Sequence, residues 1–245
     1  MPTQPSSDEE RDILEECQQA IGYQFVRVEL LRAALTHSSG ANTRQASNER
    51  LEFLGDSVLG LVTCEQLFLR FPDFQEGEMT KIKSAVVSRI TCADFSKELR
   101  LGDFLFTGRG MRCGHELPSN LLADVYESLV AGIYLDGGMD AVRPFILKQL
   151  TPEIDRVVKD AANNNYKSLL QQVAQREFGE TPRYQVLDEQ GPDHSRSFKI
   201  AVVIDDHRFP AAWGRNKKVA EALAAQNALA AINRESIPHD HDSEQ

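Results

Sequence analysis

The apolar residues of this 245-residue chain change rhythm once, and that change limits the folds open to it. From about Asp8 to Leu150 they recur at helical spacing, giving amphipathic segments at Ile13 to Ile21, Val28 to Thr36, Leu51 to Leu69, Thr80 to Leu99 and Leu121 to Leu135. Strand-like alternation is scarcely found there. Glycine and proline punctuate the series at Phe71-Pro72, Gly108-Arg109-Gly110 and Gly137-Gly138, as turns require. An all-α domain over residues 8–155 is the expectation. A polar stretch from Lys159 to Asn165 has little to bury and places an interdomain linker at 156–164. Next comes a helix, Tyr166 to Phe178, with Leu169 and Val173 on one side and Gln171 and Gln175 on the other. After it the period becomes two. Tyr184 to Asp188, Phe198 to Asp205 and His207 to Phe209 predict three strands, separated by turns at Gly191-Pro192 and Asp205-Asp206. An alanine-rich helix, Lys217 to Asn233, can lie flat on their sheet through Ala220, Leu223, Ala224, Ala228 and Ala231. The chain is therefore multidomain, an all-α part followed by an α+β part of order α-β-β-β-α over 165–234. Residues 235–245 are too polar to pack and predict a disordered tail with solvated histidines.

Composition excludes several classes. With 41% hydrophobic residues the chain can build real cores, yet no run of about 18 apolar residues exists to span a membrane. Met1 to Glu10 has neither the basic start nor the apolar stretch of a signal peptide, so a soluble, cytoplasmic protein is expected. Cys17, Cys64, Cys92 and Cys113 lie far apart without Cys-x-x-Cys spacing, which predicts reduced buried thiols rather than zinc ligands or disulfides. The net charge of −10 opposes nucleic-acid binding taken as a sum, but the distribution is uneven. Residues 165–234 hold ten Lys or Arg against eight Asp or Glu, leaving −12 for the remainder. An acidic first part would attract cations, and the basic second part would hold an anionic ligand.

The acids of the first part are placed unusually. Residues 48–60 set Glu49, Glu52 and Asp56 among Leu, Phe and Val. Offsets of three and seven return to nearly one azimuth of an α-helix, so the three carboxylates form a stripe beside an apolar stripe of Leu51, Leu54 and Val58. Charged helix residues mostly form a solvated face, and that is the plain account of such a stripe taken alone. A second pair, Asp124 and Glu127, stands three apart on another apolar helix that continues through Ala131, Ile133 and Tyr134. Two facing helices that each project a carboxylate pair can line an oxygen-rich pocket suited to a hard divalent cation.

These residues carry a resemblance. Glu49-Arg50-Leu51-Glu52-Phe53-Leu54-Gly55-Asp56-Ser57-Val58-Leu59 resembles the signature of ribonuclease III, the double-stranded-RNA endonuclease, and Leu122-Ala123-Asp124-Val125-Tyr126-Glu127 is similar to that family's second acidic motif. Leu31 to His37, Glu76 to Thr80 and Ile133 to Gly138 fall in the family's order. The second part resembles the double-stranded-RNA-binding domain through Gly191 to Phe198, Lys217-Lys218 and the alanine-rich helix. Departures occur at Ser38, where a basic residue commonly follows the histidine, at Gly110-Met111 in place of Gly-Glu, at Ala212-Trp213 before Gly214 and at Asn216 in place of Ser. Asn216 can still cap a helix.

The resemblance implies phosphodiester hydrolysis in duplex RNA by magnesium-activated water, with manganese as a substitute, leaving staggered 5′-phosphate and 3′-hydroxyl ends. It implies Glu52, Asp124 and Glu127 as metal ligands, Asp56 with Glu127 as catalytic acids, and Glu49 and Glu76 as accessory acids that position RNA or meet a partner. Two acidic clusters are needed to cut two strands, which implies a homodimer; Phe53 is the candidate plug across its interface, with a buried core Phe as the alternative. A-form RNA offers 2′-hydroxyls in a shallow minor groove and phosphates across a narrow major groove. Gln171 and Gln175 would meet one minor groove, His194 the next, and Lys217 and Lys218 the phosphates, helped by a helix N-terminus. Processing of ribosomal-RNA precursors and other structured RNAs, messenger RNA included, is the family's expected role. Two other classes compete. A noncatalytic RNA-binding relative is expected to have lost one of Glu52, Asp56, Asp124 and Glu127, and all four are present; a small-nucleotide phosphohydrolase leaves the second domain without a purpose.

Overall fold

The computed structural model describes residues 7–41, 43–108, 117–192 and 195–239. His194, Gly110, Met111, Cys113 and the end of the tail from residue 240 lie outside them. The chain divides into two compact units, Met1–Val157 and Val158–Gln245.

Described residues of the first unit are helical: α1 (Ser7–Ile21), α2 (Val28–Ala34), α3 (Glu49–Arg70), α4 (Glu76–Val86), α5 (Arg89–Glu98) and the start of α6 (Ser119–Glu177), with short 3-10 turns at Arg44–Ala46 and Leu101–Phe104. The single helix expected over 80–99 is two. Ser88 is extended and its hydroxyl accepts from the Thr91 amide, which caps a new helix. The apolar period runs through this corner because both helices bury a face, Ile82 and Val86 on one and Cys92 and Phe95 on the other. Within α6, Gly138 takes φ 71° and ψ −167°, so the expected Gly137-Gly138 punctuation is a kink inside a helical run. That run also covers residues 156–164, where the composition predicts a linker.

Buried Leu31, Leu35, Leu59, Tyr126, Leu129 and Ile146 bring α2, α3 and α6 together in one core. On α3 the fully buried line is Gly55, Val58, Leu59 and Val62, while Leu51 and Leu54 are half-buried at its edge. Asp136 fastens the entrance to α2. Its side chain has no exposed surface, and it accepts from the Tyr23 hydroxyl and the Val26 and Arg27 amides at 2.9 Å each. Of the described cysteines, Cys17 and Cys92 are buried thiols as expected, but Cys64 is exposed on α3.

In the second unit, the end of α6 and α7 (Lys217–Asn233) accompany an antiparallel sheet of β1 (Arg183–Gln190), β2 (Ser197–Ile204), β3 (His207–Arg208) and β4 (Ala212–Gly214). The expected third strand is β3, and β4 is a further strand outside those expected. β3 pairs with one end of β2 and β4 with the other, and Pro210, which has no N–H to give the ladder, stands between them. Ile200, Val202 and Ile204 pack on Ala220, Ala224 and Ala228, with Leu223 and Ala231 at the margin, so α7 lies on the sheet as its alanine pattern predicts. On the first helix of this unit the buried positions are Leu170 and Ala174, with Val173 beside them; Leu169, expected on the apolar side, is exposed because the stripe is centred one residue later.

Two contacts fix the start of α7. Asn216 caps it by accepting from the Val219 amide at 2.9 Å, and Gly214 allows β4 to come so near that a Cβ there would sit 2.3 Å from the Ala220 nitrogen. The chain after α7 is held as far as His239. Fully buried Asn227 donates to the Ala211 carbonyl at 3.1 Å and accepts from the His239 amide at 3.0 Å, while the His239 ring bonds Gln226 at 2.7 Å. His239 is therefore bound rather than solvated.

Candidate active site

The site begins with a glycine. A Cβ at Gly55 would lie 1.8 Å from the Glu127 carbonyl oxygen, so α3 and α6 touch backbone to backbone at the level of their acids. Only glycine permits this approach. Buried Ser128 reinforces the junction, its hydroxyl lying 2.6 Å from the Asp124 carbonyl and 3.2 Å from that of Asn48, the residue before α3. Asn48 in turn gives its amide to Thr36 at 2.9 Å, bringing the end of α2 and His37 beside the same corner. Among the described residues its buried Nδ2 has no partner.

Glu52 and Asp56 of α3 and Asp124 and Glu127 of α6 share one electrostatic neighbourhood. Burial raises the Glu127 pKa to about 7, and the charges of Asp56, Glu52 and Asp124 add to the rise, with Arg89 opposing. Glu52 is raised by burial and by Asp124, again against Arg89, and Glu49 and Asp56 contribute more weakly. Asp124 is raised by burial and eased by Arg89 and His37. Near them the buried Cys92 thiol, which donates to the Val87 carbonyl at 3.9 Å, is pushed up to about 12 by desolvation and then by the charges of Glu127 and Asp56. Half-buried carboxylates, two of them raised further by the charge of neighbouring acids, carry more negative charge than their surroundings offset.

An oxygen-only set with surplus negative charge has the chemistry a hard divalent cation needs. The side chains are coupled without being closed into a ligand shell: among the described residues, no three of His, Cys, Asp or Glu are grouped so as to hold an ion. Of the accessory acids, Glu49 acts on the cluster through Glu52. Glu49 is half-buried and paired with Arg44 at 2.9 Å, and Glu76 starts α4, where it accepts from the Thr80 hydroxyl at 2.8 Å. Phe53 is 80% exposed, which removes the core-Phe alternative. Leu61, Phe68 and Leu69 are exposed on the same helix.

Of the residues expected to meet RNA, Gln171 and Gln175 lie on the exposed side of their helix, with Gln175 bonded to the Gly179 carbonyl at 3.3 Å. Lys217 and Lys218 are exposed in the first turn of α7. Lys217 stands over the Phe198 ring at 5.2 Å, and Lys218 pairs with Asp160 at 3.7 Å. His194 is outside the described residues. Arg89, His37, Cys92 and Gly55 are neighbours that sequence reasoning missed as site residues. Only Gly55, a helix-interior glycine inside the acidic motif, carried a readable signal.

A ribonuclease-III-like family model matches residues 27–154, and a double-stranded RNA binding motif matches residues 166–232. Ribonuclease 3 of Rhodopirellula baltica is 48% identical over 229 residues, 94% of this chain and 86% of that protein. The enzyme of Symbiobacterium thermophilum is 41% identical over 215 residues, 87% and 92% of the two chains. Among solved structures, the nuclease domain of ribonuclease III from Campylobacter jejuni aligns with TM-score 0.53 at 33% identity, over 57% of this chain and 97% of that one. A helical unit with acids from two facing helices, followed by a duplex-RNA-binding fold, defines the class: an endoribonuclease specific for double-stranded RNA. The chain belongs to the ribonuclease III family. Enzymes of this family are metal-dependent. Among the described residues no helix is long and apolar enough to cross a membrane.

Proposed function

We propose that the chain hydrolyses phosphodiester bonds on both strands of duplex RNA, with the scissile linkage at the acids of α3 and α6. The carrying observation is that the Gly55–Glu127 backbone contact brings Glu52 and Asp56 of α3 to Asp124 and Glu127 of α6, in a chain whose second unit matches an RNA-binding motif. Glu52, Asp124 and Glu127 would hold a divalent cation, magnesium or manganese. When bound, that ion supplies a nucleophile from water near neutral pH and offsets charge on the phosphoryl and leaving oxygens. Asp56, exposed on the same helix, orients the attacking water and takes up its proton, while Glu127 holds the opposite side of the site. Cleavage of the P–O3′ bond leaves 5′-phosphate and 3′-hydroxyl ends.

One cluster cuts one strand, so the working form is a homodimer whose two clusters make staggered cuts. The exposed Phe53 and its apolar neighbours on α3 support this, since a monomer has no use for such a face in water. The Campylobacter jejuni nuclease-domain structure is described as having a region involved in dimer formation. Glu49, which acts on Glu52 from the start of α3, and Glu76 belong to RNA positioning or dimer contact at the rim. Gln171, Gln175, His194, Lys217 and Lys218 grip the duplex, the glutamines at 2′-hydroxyls and the lysines at phosphates. We place the enzyme in the cytoplasm, acting on ribosomal-RNA precursors and other structured transcripts.

The deciding experiment incubates end-labelled duplex RNA with the full chain and with Glu127→Gln, each with magnesium chloride or with EDTA. Cleavage by the wild type only with magnesium, and none by the variant, is the expected result. Duplex binding without cleavage by the wild type would refute it and favour a noncatalytic RNA-binding role.

A further inference from the structure

We propose that Arg89 is a phosphate-contacting residue of the active site, its guanidinium taking the non-bridging oxygens of the scissile linkage as the strand enters the carboxylate cluster. The inference rests on the duplex-cleaving function proposed above. Its ground is where α5 lies. Arg89, Cys92 and Ser96 are spaced by three and seven residues, so they share one stripe of that helix. The stripe meets α6 where the Ser96 hydroxyl bonds the Leu122 carbonyl, and the Cys92 thiol lies within electrostatic reach of Glu127. Phe95 packs against Tyr126 with ring centroids 5.2 Å apart, confirming the contact between the two helices. Going back along the stripe from Ser96 through Cys92, the next position is Arg89, at the head of α5 and within electrostatic reach of the carboxylates.

The backbone there is braced. Ser88 caps α5, its hydroxyl lies 2.8 Å from that of Thr91, and Thr91 donates to the Ala85 carbonyl at 2.9 Å. The side chain, in contrast, is exposed and uncommitted. Arg32, Arg44, Arg70, Arg100, Arg143 and Arg156 each pair with a carboxylate, whereas among the described residues Arg89 makes neither an ion pair nor a hydrogen bond. Its charge nonetheless acts on Glu52, Asp124 and Glu127. A cation within electrostatic reach of three acids and paired with none keeps its donors available for another anion.

The substrate supplies that anion. An acidic cluster repels an RNA backbone, and a guanidinium fork matches two phosphate oxygens at once. Arg89 would thus offset the repulsion at the point of entry and fix the phosphate against the acids.

Single-turnover cleavage of end-labelled duplex RNA at saturating magnesium chloride tests this in the full chain, with Arg89→Ala and Arg89→Lys beside the wild type. Arg89→Ala should lower the rate roughly 100-fold, the scale seen on removing one transition-state donor. Duplex affinity in EDTA should fall as the phosphate contact is lost, Arg89→Lys should recover part of the rate, and millimolar guanidinium chloride should partly restore Arg89→Ala. A wild-type rate in Arg89→Ala overturns the inference alone. So does a lost rate accompanied by a lowered midpoint without lysine or guanidinium recovery, and so does a loss that disappears when magnesium is raised, which would mean that Arg89 acts only through the carboxylates. A wild type that binds duplex and never cuts it overturns the function itself, and this inference with it.

Discussion

Gly55→Ala should damage the enzyme far more than one methyl group usually does. A Cβ at residue 55 lies 1.8 Å from the Glu127 carbonyl oxygen and 2.5 Å from its carbonyl carbon, where 3.0 Å is the practical limit for such contacts. The obstacle is the backbone of α6, which cannot rotate aside, so α3 and α6 must part by about 1.2 Å. Overpacking a close-packed interior by a methylene costs about 1–3 kcal/mol. Offsetting this, alanine favours a helix by roughly 1 kcal/mol over glycine. The net loss of stability is then about 0–2 kcal/mol, and the variant folds. Catalysis suffers more, because Glu52 and Asp56 move away from Asp124 and Glu127 by the same shift, and a displacement of about 1 Å costs roughly 100-fold in rate. Gly60→Ala is the control on the same helix: its Cβ would meet only the Lys83 ammonium at 3.6 Å, an ordinary contact with a flexible side chain. Thermal melts and single-turnover cleavage of duplex RNA should show a slow, nearly normally stable Gly55→Ala and a fully active, slightly stabilised Gly60→Ala. Equal activity in the two variants would refute the claim that the helix contact sets the geometry of the acids.

Three further perturbations have defined outcomes. Burial first, then the neighbouring charges, raise Glu127 from 4.5 to about 7, so the folded chain binds more protons than the unfolded one between those values; in EDTA the melting midpoint should fall as pH rises from about 4.5 to about 7, and magnesium chloride should flatten that slope. Asp136 has the opposite sign: burial pulls its pKa up, but the Val26 and Arg27 amides, the Tyr23 hydroxyl and the Arg27 charge outweigh burial and hold it below 3.8, so its stabilisation is complete above that value and is lost as pH falls through the folded pKa. Asp136→Asn should lower the midpoint at pH 7 and abolish that acid limb in pH-dependent melts; an unchanged midpoint would mean that the hydrogen bonds to Tyr23, Val26 and Arg27 contribute nothing. Asn227→Ala leaves the Ala211 carbonyl and the His239 amide without their buried partner and should cost about 1–3 kcal/mol in urea unfolding followed by Trp213, the chain's one tryptophan.

The sequence reveals periodicity well and neighbours poorly, and the site divides along that line. Spacing puts Glu52 and Asp56 on one face of α3 and Asp124 and Glu127 on one face of α6, because azimuth on a helix depends only on residue number. The alanine pattern likewise predicts which side of α7 meets the sheet. Where the pattern fails, a local contact has overridden it. Ser88 caps a second helix inside an unbroken apolar period, and pairing with β2 makes a short strand of Ala212–Gly214, where no alternation is read. Leu169 and Leu170 both satisfy an apolar stripe, and packing against Ile200 and Ala224 selects Leu170.

What periodicity cannot supply is the partner across a gap. His37, Arg89 and Cys92 reach the acids from the end of α2 and from α5, which the chain brings in through the Thr36–Asn48 hydrogen bond and the contacts of Ser96 and Phe95 on α6. No spacing rule links residue 89 to residue 127. Their relation is nevertheless constrained: Gly55 sets the distance between the acid-bearing helices, and Cys92 sets where α5 crosses them. A cation at the head of α5 is then directed at the acids by the same packing that buries Cys92, so the position of Arg89 follows from the core rather than from the acidic motif. The motif shows that charge accumulates here. The packing shows which cation can answer it while remaining open to a phosphate.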